Sequence, residues 1–153
     1  MSLIGIFNDK FRGGGVSVKT SLGGNVISNW NFELGDTAWA KGVNWEIVND
    51  GVYGWVLWAN GVEAMTNTHQ VNALQLGVQY RVEFDIVEYI SGSMRILVGD
   101  GGPGIVRSAV GHYVQDIVCS LSLWFYVQAI AAGSDFKIDN IIARPYITIE
   151  EDE

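Results

Sequence analysis

Glu33 and Asp36 stand three residues apart in NWNFELGDTAWA (residues 29–40), and two nearby carboxylates are what acid–base chemistry would use. The same stretch holds Trp30, Phe32 and Trp39, which suit core anchors instead. Glu83 and Asp85 form a second carboxylate pair of the kind a glycosidase needs, but both fall on the polar side of an alternating stretch and read as surface coverage. His69 and His112 lie outside any metal-ligand spacing. GDGGPG (99–104) lacks the Gly-Lys-Ser/Thr ending of a phosphate loop and reads as a hairpin turn. Cys119 lies in the alternating stretch Tyr113–Ser120, where a buried, inert thiol is expected. With no Ser-His-Asp family signature, no catalytic residue is assigned and the chain is expected not to be an enzyme.

Composition narrows the partners. At 153 residues the chain has room for one domain with a proper core. Charged residues make up 17%, against roughly a quarter in an average soluble protein. So few charges predict that part of the surface is covered by other chains, whose interface cores are poor in charge. A net charge of −8, with four acids in the run Glu150 to Glu153, argues against nucleic acid as a partner. The single cysteine allows no intrachain disulfide. No apolar run reaches the length of a membrane span, so no membrane partner is expected. The apolar piece Leu3 to Phe7 is too short for a signal peptide and its basic residues come after it, so secretion by that route is not expected.

The elements that would position any site read as strands. In YRVEFDIVEY (80–89), Tyr80, Val82, Phe84 and Ile86 point one way and Arg81, Glu83 and Asp85 the other. MRILV (94–98), YVQDIV (113–118) and FKIDNIIA (136–143) are similar, with turn-rich pieces between them. The fold class is therefore all-β, an antiparallel β-sandwich or jelly roll. Two stretches, VYGWVLWA (52–59) and LSLWFYVQAI (121–130), are apolar on both sides, so their second faces need a cover: a ligand, a neighbouring subunit or a larger assembly. Before residue 25, the glycines Gly13-Gly14-Gly15 and Gly23-Gly24 set off an N-terminal arm, residues 1–24, with three basic residues against one acid. The expected organisation is arm 1–24, sandwich 25–147 and acidic tail 148–153.

N-x-x-x-N-x-x-F-E-x-G-x-x-x-W from Asn25 to Trp39, followed far downstream by D-F-K-I-D-N-I (Asp135–Ile141), resembles the carbohydrate-binding-module-like, galactose-binding-like jelly rolls found in bacterial glycan-binding modules and bacteriophage virion proteins. Trp45-x-Ile47, Gly51-Val52 and Gly77-x-x-Tyr80-Arg81-Val82 extend the resemblance over residues 25–146. It implies that Phe32 and Trp39 anchor the core and that Asn29 and Gly35 shape turns. It also implies a structural calcium on Glu33 and Asp139, with ordinary hydrogen bonding of those two carboxylates as the alternative; no other cofactor is expected.

Two binding roles follow. The leading expectation is a bacteriophage virion protein, a capsid decoration (cement) or tail accessory protein, assembled in the host cytoplasm. It would form a homo-oligomer, most simply a trimer, and contact the major capsid protein or another virion protein. Leu3, Ile4, Ile6, Phe7 and Phe11 of the arm would dock on that partner. The alternative is a carbohydrate-binding module in which Trp55, Trp58, Trp124 and Tyr126 offer rings for sugars to stack on.

Overall fold

The computed structural model describes residues 16–152. The five arm residues Leu3, Ile4, Ile6, Phe7 and Phe11 lie outside the described residues. Ten strands follow in order: β1 (Val16–Leu22), β2 (Ala40–Lys41), β3 (Trp45–Asp50), β4 (Gly54–Val62), β5 (Asn67–Gln70), β6 (Gln79–Ser91), β7 (Met94–Val98), β8 (Gly111–Val118), β9 (Phe125–Ala129) and β10 (Ser134–Asp152). Among the described residues there is no helix. All strand pairs are antiparallel and make two sheets, a larger one in the order β3-β4-β10-β6-β8 and a four-stranded one in the order β2-β5-β9-β7.

Alternation does the sorting. On β6, Tyr80, Val82, Phe84 and Ile86 are at most 3% exposed, and the intervening Arg81, Glu83 and Asp85 point outward. On β7 and β9, Met94, Ile96 and Val98 meet Phe125, Val127 and Ala129 from the neighbouring strand, all turned into the core. The two inward faces close on one another, as in a jelly-roll sandwich.

The I-D-N-I stretch of β10 shows what its asparagine is for. Phe136 and Ile138 face inward, and so do Ile141 and Ala143, which simple alternation would turn outward. The change of parity is made at Asp139-Asn140, where the register against β6 shifts. Asn140 takes a positive φ of 54°, which asparagine tolerates better than most residues, and the Asp139 carboxylate accepts the Asn140 backbone N–H at 2.7 Å. The opening motif lies against this bulge: the Ile141 N–H bonds to the Trp30 carbonyl at 3.0 Å.

Asn29 organises that opening loop. Its side chain donates to the carbonyls of Gly35 (2.8 Å) and Thr37 (3.0 Å) and accepts the Leu34 N–H (3.0 Å). Phe32 and Trp39 are thereby driven inward, their ring centroids 5.4 Å apart, and Trp39 meets Phe125 edge-on at 6.4 Å. The loop so supports, from beneath, the strand that carries Trp124 and Tyr126 on its other side.

Beyond the sandwich, β1 pairs with residues 146–152 of β10 in a two-stranded ribbon. VSVKTSL alternates apolar and polar residues, as a strand does, and YITI opposite matches it. Residues 16–22 of the expected arm and 148–152 of the expected tail are therefore paired with one another. The Tyr146 hydroxyl, at the root of the ribbon, donates to Asp116 at 2.9 Å, and Arg81 lies 5.6 Å from its ring centroid.

Candidate functional site

The four aromatic residues singled out from the sequence separate onto different surfaces. Trp55 packs against the core. Trp58 lies on the outward face of the larger sheet, where its indole N–H donates to Asp135 at 2.9 Å and the Lys137 ammonium sits 5.2 Å from its ring centroid. That ammonium is in turn held by Asp50 (2.5 Å) and Glu88 (3.2 Å). The Lys137 bond holds the Asp50 carboxyl below its usual value, and the same bond raises Lys137. This side of β4 is thus covered by the chain itself.

Trp124 and Tyr126 stand together on the outward face of the smaller sheet. The register aligns His69 of β5, Tyr126 of β9 and Leu97 of β7 in one row, and Asn67, Gln128 and Arg95 in the next. Trp124, 37% exposed, stacks on the His69 imidazole with centroids 4.9 Å apart and planes 12° from parallel. Tyr126 lies 5.8 Å from His69 and 6.0 Å from Trp124. Leu97 and Gln128, both under 10% exposed, form the floor between the two rows.

Hydrogen bonds hold these side chains in place. His69 Nδ1 is 2.9 Å from the Asn67 side-chain oxygen, which assigns the proton to Nδ1 and leaves Nε2 as an acceptor. Burial holds the His69 pKa below its ordinary value, so the ring is neutral at pH 7. Arg95 Nε donates to the Gln128 oxygen at 2.8 Å. At the other end, the Tyr126 hydroxyl and the Ser122 hydroxyl both donate to Asp100 Oδ1, at 2.5 and 3.2 Å. Burial, followed by the Asp100 contact, raises the Tyr126 pKa. Gly99 makes that placement feasible: its φ is +72°, and a Cβ there would lie 2.3 Å from the Ser120 carbonyl oxygen. GDGGPG is thus a turn that delivers an acid to the aromatic cluster.

From the sequence, His69 was weighed only as a metal ligand and Asp100 only as part of a turn, and Arg95, Asn67 and Gln128 were not singled out as site residues. NTHQ does alternate, with Asn67 and His69 out and Thr68 and Gln70 in. Its partner strand, β9, lies more than fifty residues away, and no local pattern announces that pairing.

The remaining sequence candidates have structural partners. Exposed Asp36 pairs with Lys41 at 2.8 Å, and exposed Glu33 accepts from Asn31 at 2.7 Å. Glu83 and Asp85 flank His112 at 3.3 and 2.6 Å, and Asp85 also accepts from Asn140. Cys119 is 1% exposed, and burial raises its thiol. Asp139 is pushed up to about 6, by burial first and then by the Asp85 and Glu33 carboxylates. Among the described residues no three His, Cys, Asp or Glu side chains group to hold a metal. Calcium takes six to eight oxygens, so the side chains at Glu33 and Asp139 do not by themselves make a cage for it.

No family model and no curated protein sequence matches this chain. Solved structures do match its fold. One holds the CBM22-1 and GH10 modules of the Clostridium thermocellum N-terminal endo-1,4-β-D-xylanase 10B complexed with xylohexaose: TM-score 0.56, 11% identity, 80% of this chain and 28% of that one. Another is the enzymatically active domain of bacteriophage CBA120 tailspike protein 4, with TM-score 0.52, 12% identity, and coverage of 79% and 21%. The chain thus spans less than a third of the length of either. At such identities the likeness shows the fold alone, an antiparallel jelly-roll β-sandwich.

Proposed function

We propose that this carbohydrate-binding-module-like sandwich is a non-enzymatic module that binds a glycan on the outward face of its smaller sheet. The observation that carries the proposal is the His69–Trp124–Tyr126 cluster, in which a stacked, half-open indole is flanked by oriented polar groups. A pyranose ring has an apolar C–H face and a rim of hydroxyls. Trp124 offers a π surface to the first, while Asp100 and the free nitrogen of His69 accept from the second. The carboxylates elsewhere are engaged with Lys41, His112 and Asn31, which supports binding over catalysis.

Titration calorimetry against a panel of soluble oligosaccharides tests this. One saturable ligand is expected, with Trp124→Ala and Tyr126→Ala each weakening it by about 1–3 kcal/mol, as for a stacked anchor. A panel without a saturable ligand would sink the proposal, and so would variants that bind like the parent.

The β1–β10 ribbon favours a second, compatible reading. It carries Ile147 and Ile149 at 42% and 45% exposure and leads back to the arm residues. A ribbon with exposed isoleucines of this kind suits docking in a bacteriophage particle, as a capsid decoration or tail accessory protein, and self-association into a trimer. Equilibrium sedimentation and binding to purified particles test it. A monomer that does not bind particles, with or without residues 1–15, excludes this role.

A further inference from the structure

Among the described residues Arg95 is the one cation on the sugar-facing rows, and its position is asymmetric. Its Nε is occupied by Gln128 at 2.8 Å, which fixes the plane of the guanidinium. Among the described residues it makes no ion pair, and its two terminal nitrogens have no protein acceptor. The other basic side chains outside the ribbon are differently placed: Lys41, Arg81 and Lys137 pair with acids, Arg107 lies on the Tyr113 ring, and Arg144 donates to the Gly23 carbonyl. The only carboxylate in the cluster, Asp100, bonds Tyr126 at the opposite end of the face.

We infer that the bound glycan is acidic, with a sugar carboxylate seated on the terminal nitrogens of Arg95. This rests on the glycan reading above and adds its chemical class and direction. A guanidinium held by its Nε still presents a planar pair of N–H groups, which matches the two oxygens of a carboxylate. Arg95 sits one side-chain repeat from Tyr126 on the same face, roughly 7 Å along the strand, so a sugar on the aromatic row can reach it. Asp100 repels the same carboxylate at the other end, so the acid-bearing unit lies over Arg95 and the uncharged unit over Trp124. The chain's net charge of −8 acts against an anion at a distance. That field is screened beyond about 8 Å at physiological ionic strength, so the contact with Arg95 decides the outcome.

The test uses matched pairs: 3′-sialyllactose against lactose, and tetragalacturonate against its methyl ester, each titrated into the full chain. The acidic member of at least one pair is expected to bind about 10- to 100-fold tighter, the range of a charge-assisted bond. Arg95→Gln should erase that preference, so that the two members of the pair bind alike. Gln128→Glu provides an independent check: it keeps Arg95 and its hydrogen bond but supplies the missing carboxylate, and it should erase the preference too. Melting curves and circular dichroism of both variants confirm folding. Equal binding of both members overturns the inference and leaves the glycan proposal standing. An acid preference that survives both variants removes Arg95 as its cause, and failure of every sugar to bind brings down both proposals.

Discussion

The two outward faces of the sandwich hold similar chemistry in opposite arrangements. On the larger sheet, Trp58 is covered by Lys137, Lys137 is clamped by Asp50 and Glu88, and His112 lies between Glu83 and Asp85. Ring, cation and acids there satisfy one another. On the smaller sheet, ring, cation and acid are kept apart: Trp124 stacks on a neutral histidine, Arg95 bonds only an amide, and Asp100 bonds only hydroxyls. A surface whose groups are mutually satisfied offers a ligand little, whereas one whose groups are oriented but not spent is ready to bind. The arrangement, and not the count of aromatics, separates the two.

The largest test of this contrast is Trp58→Ala. It removes a partly buried ring together with its bond to Asp135, and should cost about 2–3 kcal/mol of stability in chemical denaturation while leaving sugar binding unchanged. Trp124→Ala should do the reverse, costing about 1–3 kcal/mol of binding and under about 1 kcal/mol of stability. If both variants lost only stability, the two faces would be equivalent and the contrast would be gone.

Asp139 is the exception on the larger sheet, an acid raised to about 6 with no cation beside it. Its folded value lies above its unfolded 3.8, so its contribution is fully present below pH 3.8 and lost as the pH rises through about 6. Asp139→Asn should retain that contribution at neutral pH and flatten the pH dependence over this window, by roughly 1–2 kcal/mol after discounting for solvent. Calcium titration checks the metal expectation on the same residue. A bound ion would pull Asp139 back down and raise the melting temperature, and an unmoved Asp139 titration leaves Glu33 and Asp139 as hydrogen-bonding groups.

The smallest expected effect sets the two histidines against each other. His112 is raised, by the Asp85 bond first, so its contribution is present below 6.5 and lost as the pH rises through the higher folded value. His69 is lowered by burial, so its contribution is present above 6.5 and lost as the pH falls through the lower one. Proton NMR of the two imidazole rings should give midpoints on opposite sides of 6.5. Both are expected to move stability less than any substitution above, since His112 is largely exposed and His69 is only partly buried.

Much of the fold was legible in short stretches. The alternation in YRVEFDI assigned β6 and its inward face residue by residue, because one buried face imposes a period of two. Phe32 and Trp39 were readable as anchors from their place in the opening motif, and both are buried. The double apolarity of LSLWFYVQAI marked Trp124 and Tyr126, but VYGWVLWA carried the same mark. Nothing local told that Lys137, some eighty residues on, would cover Trp58, and Arg95 read simply as the polar position of MRILV.

What the sequence by itself determined is the longer strands and, where alternation is clean as on β6, the inward or outward sense of each side chain, because both follow from neighbours two residues apart. Only the tertiary structure decided which outward side chains stand side by side. The pairing of β5 with β9 and of β9 with β7 brings His69, Tyr126 and Leu97 into one row and Asn67, Gln128 and Arg95 into the next. Those rows run across strands from distant parts of the chain, and such contacts are set by how the two sheets close around their common core, which no local period encodes.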